Sequence, residues 1–171
     1  GNVAQKGGGI YSGSNLLLVN VLVSGNTASG DNGCGGGLYN DYSGILPVLM
    51  TNTTFAANTA TTDGGGIYNG FLTLTLTNSI VGLNTAGGDG PDVAGDFGGS
   101  RNLVGIDPGF IDPAGGDYRP AATSIAINRG DNALALDGQG APLATDRDGL
   151  ARIADCVVDL GAFEHPGAVD P

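Results

Sequence analysis

The clearest pattern in the chain is an alternation of apolar and polar residues that recurs in three copies. In the segment FLTLTLTN, residues 71–78, leucines alternate with threonines, so every second side chain falls on the same side of an extended strand. Two earlier segments carry apolar residues at the equivalent positions, which are Leu16 and Leu18, then Val48 and Met50. We therefore predict three equivalent strands, each with one side facing a common core.

Two further signatures repeat around these strands. A glycine triplet followed by an aliphatic residue and tyrosine occurs at residues 7–11, 35–39 and 64–68. The motif N-x5-N-T-A begins at Asn20, Asn52 and Asn78. Because one such unit is too short to bury its own apolar side, the copies are expected to stack as parallel coils, ~4.8 Å apart.

The repeated glycines and asparagines have structural explanations. Glycine reaches positive φ without steric cost, so the triplets are expected to form tight corners. Asparagine also tolerates the left-handed region, and its side chains can form stacked amide ladders. We expect both roles, in preference to ligand binding, for the two asparagine columns, which are Asn20/Asn52/Asn78 and Asn26/Asn58/Asn84.

Three tyrosines recur in register after the glycine triplets: Tyr11, Tyr39 and Tyr68. At the spacing of stacked coils, their rings are expected to pack against one another as part of the solenoid wall. The alternative is a row of aromatic rings that binds polysaccharide. Packing is the preferred interpretation.

The composition agrees with a turn-rich β protein. Glycine accounts for 33 of the 171 residues, and the chain contains 14 asparagines but one lysine and one glutamate. Because glycine, asparagine and aspartate favour turns over helix interiors, a mostly helical fold is excluded. The glycines lack the every-third-residue spacing of collagen, and 40% hydrophobic residues argue against disorder.

The negative charge is concentrated in the second half of the chain. The net charge is −11, of which residues 87–171 carry −9. An acidic surface argues against nucleic acid and anionic membranes as partners. The longest apolar run, residues 16–23, is interrupted by Asn20 and is too short for a membrane span. We divide the chain into parallel β-helix repeats, residues 1–105, and an acidic C-terminal cap, residues 106–171.

These motifs resemble the repeats of right-handed parallel β-helix proteins of the large secreted bacterial type, relatives of polymorphic outer-membrane and adhesin-like passengers. The resemblance covers residues 7–105 and implies an all-β, right-handed solenoid of about four coils with an irregular β cap. The second half resembles the conserved ending of the same proteins, which usually precedes a variable cell-surface anchor, in the pieces DPGFIDPAGGDYRP, SIAINRGDN, ATDRDGLARI and DLGAFE. Ile125 stands where the family usually has proline, and because residues 167–171 do not resemble an anchor, we do not expect this stretch itself to attach to the cell.

The aspartate-rich second half has two interpretations. The simpler one is a cap that completes and plugs the C-terminal end of the solenoid, because an open coil end exposes apolar side chains and unpaired strand edges. Its arginines are then expected to pair with aspartates at the surface; they are Arg119, Arg129, Arg147 and Arg152.

The other interpretation is calcium binding. Asp146-x-Asp148-Gly149 has the alternating carboxylates and the glycine bend of loops that bind calcium through oxygen ligands. Asp146 and Asp148 are therefore the candidate metal ligands, although the remaining ligands of an EF-hand are missing. No other cofactor is expected.

Cys34 and Cys156 are the only cysteines. Their separation fits no zinc motif, and the single histidine, His165, cannot complete a ligand set. A disulfide within the chain, a bridge between chains and two free thiols are all open. The acidic, lysine-poor composition favours an extracellular location. Because the sequence opens directly on GNVAQKGGGIY, we expect a piece processed from a longer secreted precursor.

Parallel β-helices include polysaccharide lyases and glycoside hydrolases, so catalysis is one hypothesis. Such enzymes need clustered carboxylates, or carboxylates with a basic residue, on one coil face. Lys6, Cys34 and Asp63 occupy one column of the repeat. Lys6 is expected to lie two coils from Asp63, about 10 Å away. No acid–base pair is expected there, and we predict a protein that is not an enzyme.

The preferred function is that of an extracellular structural protein that self-associates. The first residues enter the repeat without a visible cap, so one open end is predicted. Contact between that end and another copy would build a fibre or a surface layer. The expected partners are copies of the chain itself. An adhesin or carbohydrate-binding module for surface polysaccharide is the alternative, and a lyase or hydrolase remnant is less favoured.

Overall fold

The computed structural model describes residues 1–41, 47–70 and 74–167 and consists almost entirely of short β-strands. Within these ranges, four-stranded sheets are built from four successive coils of the chain. The only helical element there is a single 3-10 turn, Asn132–Leu134. No helix of the described part is long and apolar enough to cross a membrane.

Each coil contributes four strands. Coil 1 contains β1 (Val3–Ala4), β2 (Ile10–Ser12), β3 (Leu16–Val19) and β4 (Leu22–Ser24). Coil 2 contains β5 (Thr27–Ala28), β6 (Leu38–Asn40), β7 (Val48–Thr51) and β8 (Thr54–Ala56). Coil 3 contains β9 (Thr59–Ala60), β10 (Ile67–Asn69), β11 (Leu74–Thr77) and β12 (Ile80–Gly82). Coil 4 contains β13 (Thr85–Ala86), β14 (Val93–Ala94), β15 (Gly98–Ser100) and β16 (Leu103–Val104).

Strands at the same position in successive coils form four parallel sheets. Sheet 1 contains β1, β5, β9 and β13; sheet 2 contains β2, β6, β10 and β14; sheet 3 contains β3, β7, β11 and β15; sheet 4 contains β4, β8, β12 and β16. In sheet 3, Leu18, Met50 and Leu76 occupy one column. The predicted all-β parallel solenoid of about four coils is therefore confirmed, with the predicted apolar residues in register.

Apolar side chains from sheets 2, 3 and 4 fill the interior of the coils. Phe55 of sheet 4 is completely buried there. One cluster runs through the stack and contains Val23, Leu38, Val48, Met50, Phe55, Ile67, Leu74, Leu76 and Val81. Full burial of one such side chain contributes about 1.5–3 kcal/mol, so this interior cluster is the main source of stability.

The glycine triplets chiefly allow neighbouring coils to approach closely. Only the first glycine of each triplet has positive φ, as at Gly35 with a φ of 68°. A β-carbon on Gly36 would overlap the carbonyl oxygens of Gly65 and Thr59 in coil 3. The prediction that the triplets serve as left-handed corners is therefore wrong for two of their three glycines. Those two are required because backbone lies where a side chain would be.

The two asparagine columns have different roles. The first column supplies left-handed corners, since Asn20, Asn52 and Asn78 have φ of 54°, 50° and 49°. The second column forms the amide ladder. In it, Asn58 Oδ1 accepts hydrogen bonds from the backbone N and from Nδ2 of Asn26, both at 3.0 Å. We predicted both roles for both columns, whereas each column has one.

Residues 106–167, which we call the lateral segment, pack along the side of the coils. The segment begins with an antiparallel hairpin of β17 (Phe110–Asp112) and β18 (Asp117–Pro120). It shares a second apolar cluster with sheet 4, which contains Ala56, Ile80, Phe110, Tyr118, Ala126, Leu160, Ala162 and Phe163. The outer face of sheet 4 is therefore buried under the lateral segment.

The lateral segment covers the side of the coils, and that it also plugs the C-terminal end of the solenoid stays a prediction. On the side, it accepts hydrogen bonds from the corner asparagines of three coils. The donors are Asn20 Nδ2 to Thr145 O at 2.7 Å, Asn52 Nδ2 to Asp159 O at 3.3 Å and Asn78 Nδ2 to Asp131 O at 3.0 Å. Packing on the side is favoured because the outer face of sheet 4 is apolar and would otherwise be exposed to water.

Replacing Asn58 with alanine is expected to lower the free energy of unfolding by about 2–4 kcal/mol, because buried groups of the ladder would lose their partners. Asn58 accepts from Asn26 and donates to Val23 O and Asn84 Oδ1. Thr59→Ala is the matched control, because this neighbouring side chain is exposed, and it should change stability by less than about 0.5 kcal/mol. Urea unfolding measures both, and equal losses would contradict the ladder's role.

Candidate functional site

One turn of the lateral segment contains both predicted metal ligands. Asp146 is almost fully buried. Its Oδ1 accepts hydrogen bonds from the backbone N–H groups of Asp148 and Leu150, both at 2.9 Å, and its Oδ2 accepts one from Glu164 at 2.7 Å. The Asp148 carboxylate is exposed and lies 3.9 Å from Arg147 Nη1. Within the described part of the chain, no group of three or more His, Cys, Asp and Glu side chains is placed to hold a metal ion. Asp146 thus stabilises the turn, and calcium binding stays a prediction.

Arg152 is fully buried where the lateral segment meets the coils. Its Nη2 lies 2.7 Å from Glu164 Oε1 and donates to the carbonyl oxygens of Asp159 and Gly161 at 3.0 and 3.1 Å. Its Nη1 donates to Asn20 Oδ1 at 3.3 Å, which joins the segment to a corner of coil 1. The predicted surface pair of Arg152 with an aspartate is therefore wrong. The guanidinium is an internal link whose removal would leave buried acceptors without a donor.

The other arginines of the lateral segment lie nearer the surface. Arg119 pairs with Asp117 at 2.5 Å, as predicted, and this contact holds the pKa of Asp117 below its ordinary value. Arg147 lies over the ring of Phe163, 5.3 Å from its centroid. Arg129 makes no ion pair within the described residues. Exposed contacts of this kind contribute little to stability.

Three carboxylates surround the Arg152 guanidinium: Asp146, Asp159 and Glu164. The Asp159 carboxylate accepts hydrogen bonds from the backbone N–H groups of Asn128 and His165, both at 2.7 Å. Burial raises the pKa of Glu164 to about 8, against the opposing effect of Arg152. Burial also raises the pKa of Asp159. These groups make internal hydrogen bonds, so the cluster positions the lateral segment.

The recurring tyrosines form a stacked column on the outside of sheet 2. The ring centroids of Tyr11 and Tyr39 are 5.5 Å apart, and those of Tyr39 and Tyr68 are 4.9 Å apart with the planes 3° from parallel. The predicted packing is confirmed. Because the rings cover one another's faces, the column does not favour the polysaccharide-binding alternative. The outer face of Tyr11, which is 55% exposed, is the end of the column at coil 1.

The column of Lys6, Cys34 and Asp63 runs beside the tyrosines. Lys6 Nζ donates to Tyr39 OH at 2.9 Å, and this hydrogen bond raises the pKa of Lys6. Asp63 Oδ1 accepts from the backbone N of Asp89 at 2.7 Å. Cys34 is buried and a free thiol. Within the described residues Lys6 and Asp63 form no ion pair.

The second cysteine, Cys156, is exposed in the lateral segment. It is also a free thiol, so the structure contains no bridge from it to Cys34. Its backbone has a φ of 74°, in the left-handed region. Of the three states left open by the sequence, the disulfide within the chain is absent from the structure, and a bridge between chains stays open.

The N-terminal end of the solenoid is open and apolar. Each strand of coil 1 has a single neighbouring strand, so all four present an unpaired edge. The interior side chains at this end are only partly buried; they include Ile10, Leu16, Leu18 and Val21. Their equivalents in coil 2, such as Val48 and Met50, are 1% exposed. A cavity of about 420 Å³ lies here, with Asn2, Ile10 and Val23 among its lining residues.

The C-terminal end of the solenoid carries smaller side chains in two of the columns. The interior column of Leu18, Met50 and Leu76 continues in coil 4 as Gly99. The tyrosine column continues as Ala94, because Tyr68 pairs with that residue. The two ends are therefore chemically different, although both carry unpaired strand edges.

The roles of Arg152 and Glu164 at these sites were not predicted from the sequence. Arg152 lies in the apolar stretch LARI, and Glu164 is the only glutamate of an aspartate-rich chain. An arginine within an apolar stretch and a lone glutamate in an aspartate-rich chain both indicate that these two side chains pair in the interior. The role of Asp92 was also missed: its Oδ1 accepts hydrogen bonds from the backbone N and Nδ2 of Asn84, at 3.2 and 2.8 Å. Its signal is that the fourth coil reads GPDVA where the earlier coils read GGGIY or GGGLY.

Comparison with protein families, with curated proteins and with solved structures finds no match to this chain.

Raising the pH from about 4.5 to about 8 is expected to destabilise the folded chain. Glu164 retains its proton up to about pH 8 when folded but releases it near its ordinary pKa of 4.5 when unfolded, so folding takes up a proton in that window. The free energy of unfolding should fall by at least about 1.4 kcal/mol, the equivalent of one pKa unit. Urea unfolding at several pH values measures the slope.

Two variants isolate the residue responsible for this slope. Glu164→Gln removes this titrating group and should reduce the dependence on pH, leaving the part contributed by Asp159. Asp148→Asn removes an exposed carboxylate from the adjacent turn and should leave the slope unchanged. A Glu164→Gln protein with the unaltered slope would show that another group is responsible.

Proposed function

We propose that this chain is a non-enzymatic structural module of an extracellular β-solenoid and that it joins a longer rod through its N-terminal end. The observation that carries the proposal is the open end of coil 1. Four unpaired strand edges and a row of half-buried apolar side chains meet there on one surface. Such a surface is costly to leave in water and is suited to receiving further strands.

The arrangement of the ionisable groups supports a structural role over catalysis. Inside the lateral segment, Asp146 and Glu164 accept hydrogen bonds from backbone N–H groups, and Arg152 donates to a backbone carbonyl and pairs with Glu164. Lys6 is engaged with a tyrosine hydroxyl on the solenoid wall. A catalytic centre needs groups that can reach a substrate. In this chain the corresponding side chains hold secondary structure elements in place.

The lateral segment supports the role of a rod. It contacts the corners of coils 1, 2 and 3 through Asn20, Asn52 and Asn78. Parting any two of these coils would break contacts to a segment that spans both. A stack held together along one side resists bending and local opening better than one held by its sheets alone.

The extracellular setting rests on the sequence. The motifs resemble those of secreted bacterial β-helix proteins, and the composition is acidic with a single lysine. Two free thiols are compatible with this setting without requiring it.

Site-specific photo-cross-linking in the producing cells tests the proposal. A photoreactive residue at Val3, which is 71% exposed at the open end, should cross-link to a peptide from outside residues 1–171 that carries the repeat signature. Thr85 is the matched control, because it occupies the same column of sheet 1 in coil 4 and is also exposed. Photoreaction there should give no such product.

Two results would contradict the proposal. The absence of any external cross-link from Val3 would show that the open end has no occupant. External cross-links of equal yield from Thr85 and Val3 would show that the N-terminal end is not preferred.

A further inference from the structure

We propose that the open end of coil 1 binds a parallel β-coil of the same repeat type. This coil places an asparagine over Asn2 and a tyrosine over Tyr11. At the other end, coil 4 is the last coil of the stack. The inference rests on the proposed structural role and names the chemistry of the partner. Two columns of side chains carry it, because both are open at coil 1 and both stop at or before coil 4.

The asparagine ladder has a direction. In every step, the backbone N and Nδ2 of one asparagine donate to Oδ1 of the asparagine in the next coil. Asn2 donates to Asn26 at 3.0 and 3.3 Å, and Asn26 donates in the same way to Asn58. Asn58 donates to Asn84 at 2.9 and 3.0 Å. Each Oδ1 therefore serves the coil that precedes it in the stack.

At coil 1 this ladder ends on an unused acceptor. Asn2 Oδ1 accepts no hydrogen bond from any residue that the structure describes. Asn2 is exposed, and it lines the cavity at the open end. A preceding coil with asparagine at this position would donate to that oxygen through two N–H groups and would continue the ladder unchanged.

At coil 4 the ladder is closed. Asn84 donates through its backbone N and Nδ2 to Asp92 Oδ1, at 3.2 and 2.8 Å. Asp92 belongs to the same coil, between β13 and β14, so its carboxylate stands where a fifth asparagine would supply its oxygen. A carboxylate accepts hydrogen bonds but has no amide N–H to pass on. The ladder therefore cannot propagate beyond this residue.

The tyrosine column shows the same asymmetry independently. Tyr11 stacks on Tyr39 through one face and leaves the other face open at coil 1. At the far end, Ala94 takes the place of a tyrosine below Tyr68. A coil that carries the Gly-Gly-Gly-aliphatic-Tyr signature would bring a ring over Tyr11 at the spacing of the existing stack.

These two columns distinguish the partner from a second copy of the chain. In a head-to-tail pair, coil 4 of one copy would face coil 1 of the next, with Asp92 near the Asn2 acceptor and Ala94 over Tyr11. Two acceptors would then meet, and the aromatic stack would be interrupted. The occupant that fits is a coil of the repeat type found in coils 1 to 3.

The closing experiment adds such a coil. Gly1 lies over Gly25, and Val3 pairs with Thr27, so duplicating residues 1–24 ahead of Gly1 adds one coil in register. In solenoids, each added repeat contributes an interface with its neighbour, so the thermal midpoint should rise by about 5 °C or more. Hydrogen exchange of the original β1 to β4 amides should slow at the same time.

Matched variants of the added coil test the ladder. Asn2→Asp within the added copy replaces the Nδ2 donor by a carboxylate and should remove at least half of the rise. Asn15→Asp within the added copy introduces the same charge at an exposed position and should retain the rise.

Each alternative result has a distinct meaning. No rise in the midpoint, or an added coil without exchange protection, overturns the choice of partner but leaves the cross-linking result at Val3 to decide the structural role. Equal effects of the two aspartate variants overturn the ladder argument. Concentration-dependent oligomers of the unmodified chain that the added coil abolishes would show that a second copy is the occupant.

Discussion

The spacing between neighbouring coils is the constraint on which the rest of the structure depends. Parallel strands pair at about 4.8 Å, so every side chain has an equivalent directly above and below it at nearly that distance. Few side chains fit such a column. Apolar residues fit inside the coils, tyrosine rings fit outside because stacked rings need a similar separation, and asparagine fits where an amide can donate in one direction and accept from the other.

The same spacing explains the glycines. Where the chain bends after sheet 1, neighbouring backbones lie so close that Gly36 has carbonyl oxygens of coil 3 in the space of a β-carbon. Positive φ is needed only at the first glycine of the triplet. The excess of glycine in this chain therefore reflects close contact between coils as much as the sharpness of their turns.

The lateral segment solves a problem that the stack creates. Sheet 4 has apolar residues on both faces, since Phe55 and Val81 point into the coils while Ile80 lies in the cluster shared with the lateral segment. A parallel sheet with two apolar faces needs cover on both. The lateral segment covers the outer face. Arg152 connects this segment to coil 1 through Asn20 and pairs with Glu164 within the segment.

How much of this could be predicted depends on whether a feature is periodic. The apolar columns, the tyrosine stack and the number of coils follow from residues that recur at fixed positions, and all three were correctly predicted. Arg152 and Glu164 occur once each, and their pairing depends on the path of a segment without repeats. The sequence indicated that this segment packs on the solenoid but not that it lies on its side, because an end plug and a side cover bury apolar surface equally well.

Asp92 shows why the end of a repeat is harder to predict than the repeat itself. Each asparagine of the ladder accepts a hydrogen bond from one neighbour and donates to the other. Adding a further asparagine at either end therefore leaves an unused donor or acceptor there. Only a residue that accepts without donating can satisfy the last asparagine and present no new donor, and aspartate differs from asparagine in that one respect. The difference is a single side-chain group, so it resembles an ordinary substitution until its contact with Asn84 is known. A stack that ends in a carboxylate at one end and in an unused amide oxygen at the other has a direction, and that direction is set by hydrogen-bonding capacity rather than by shape.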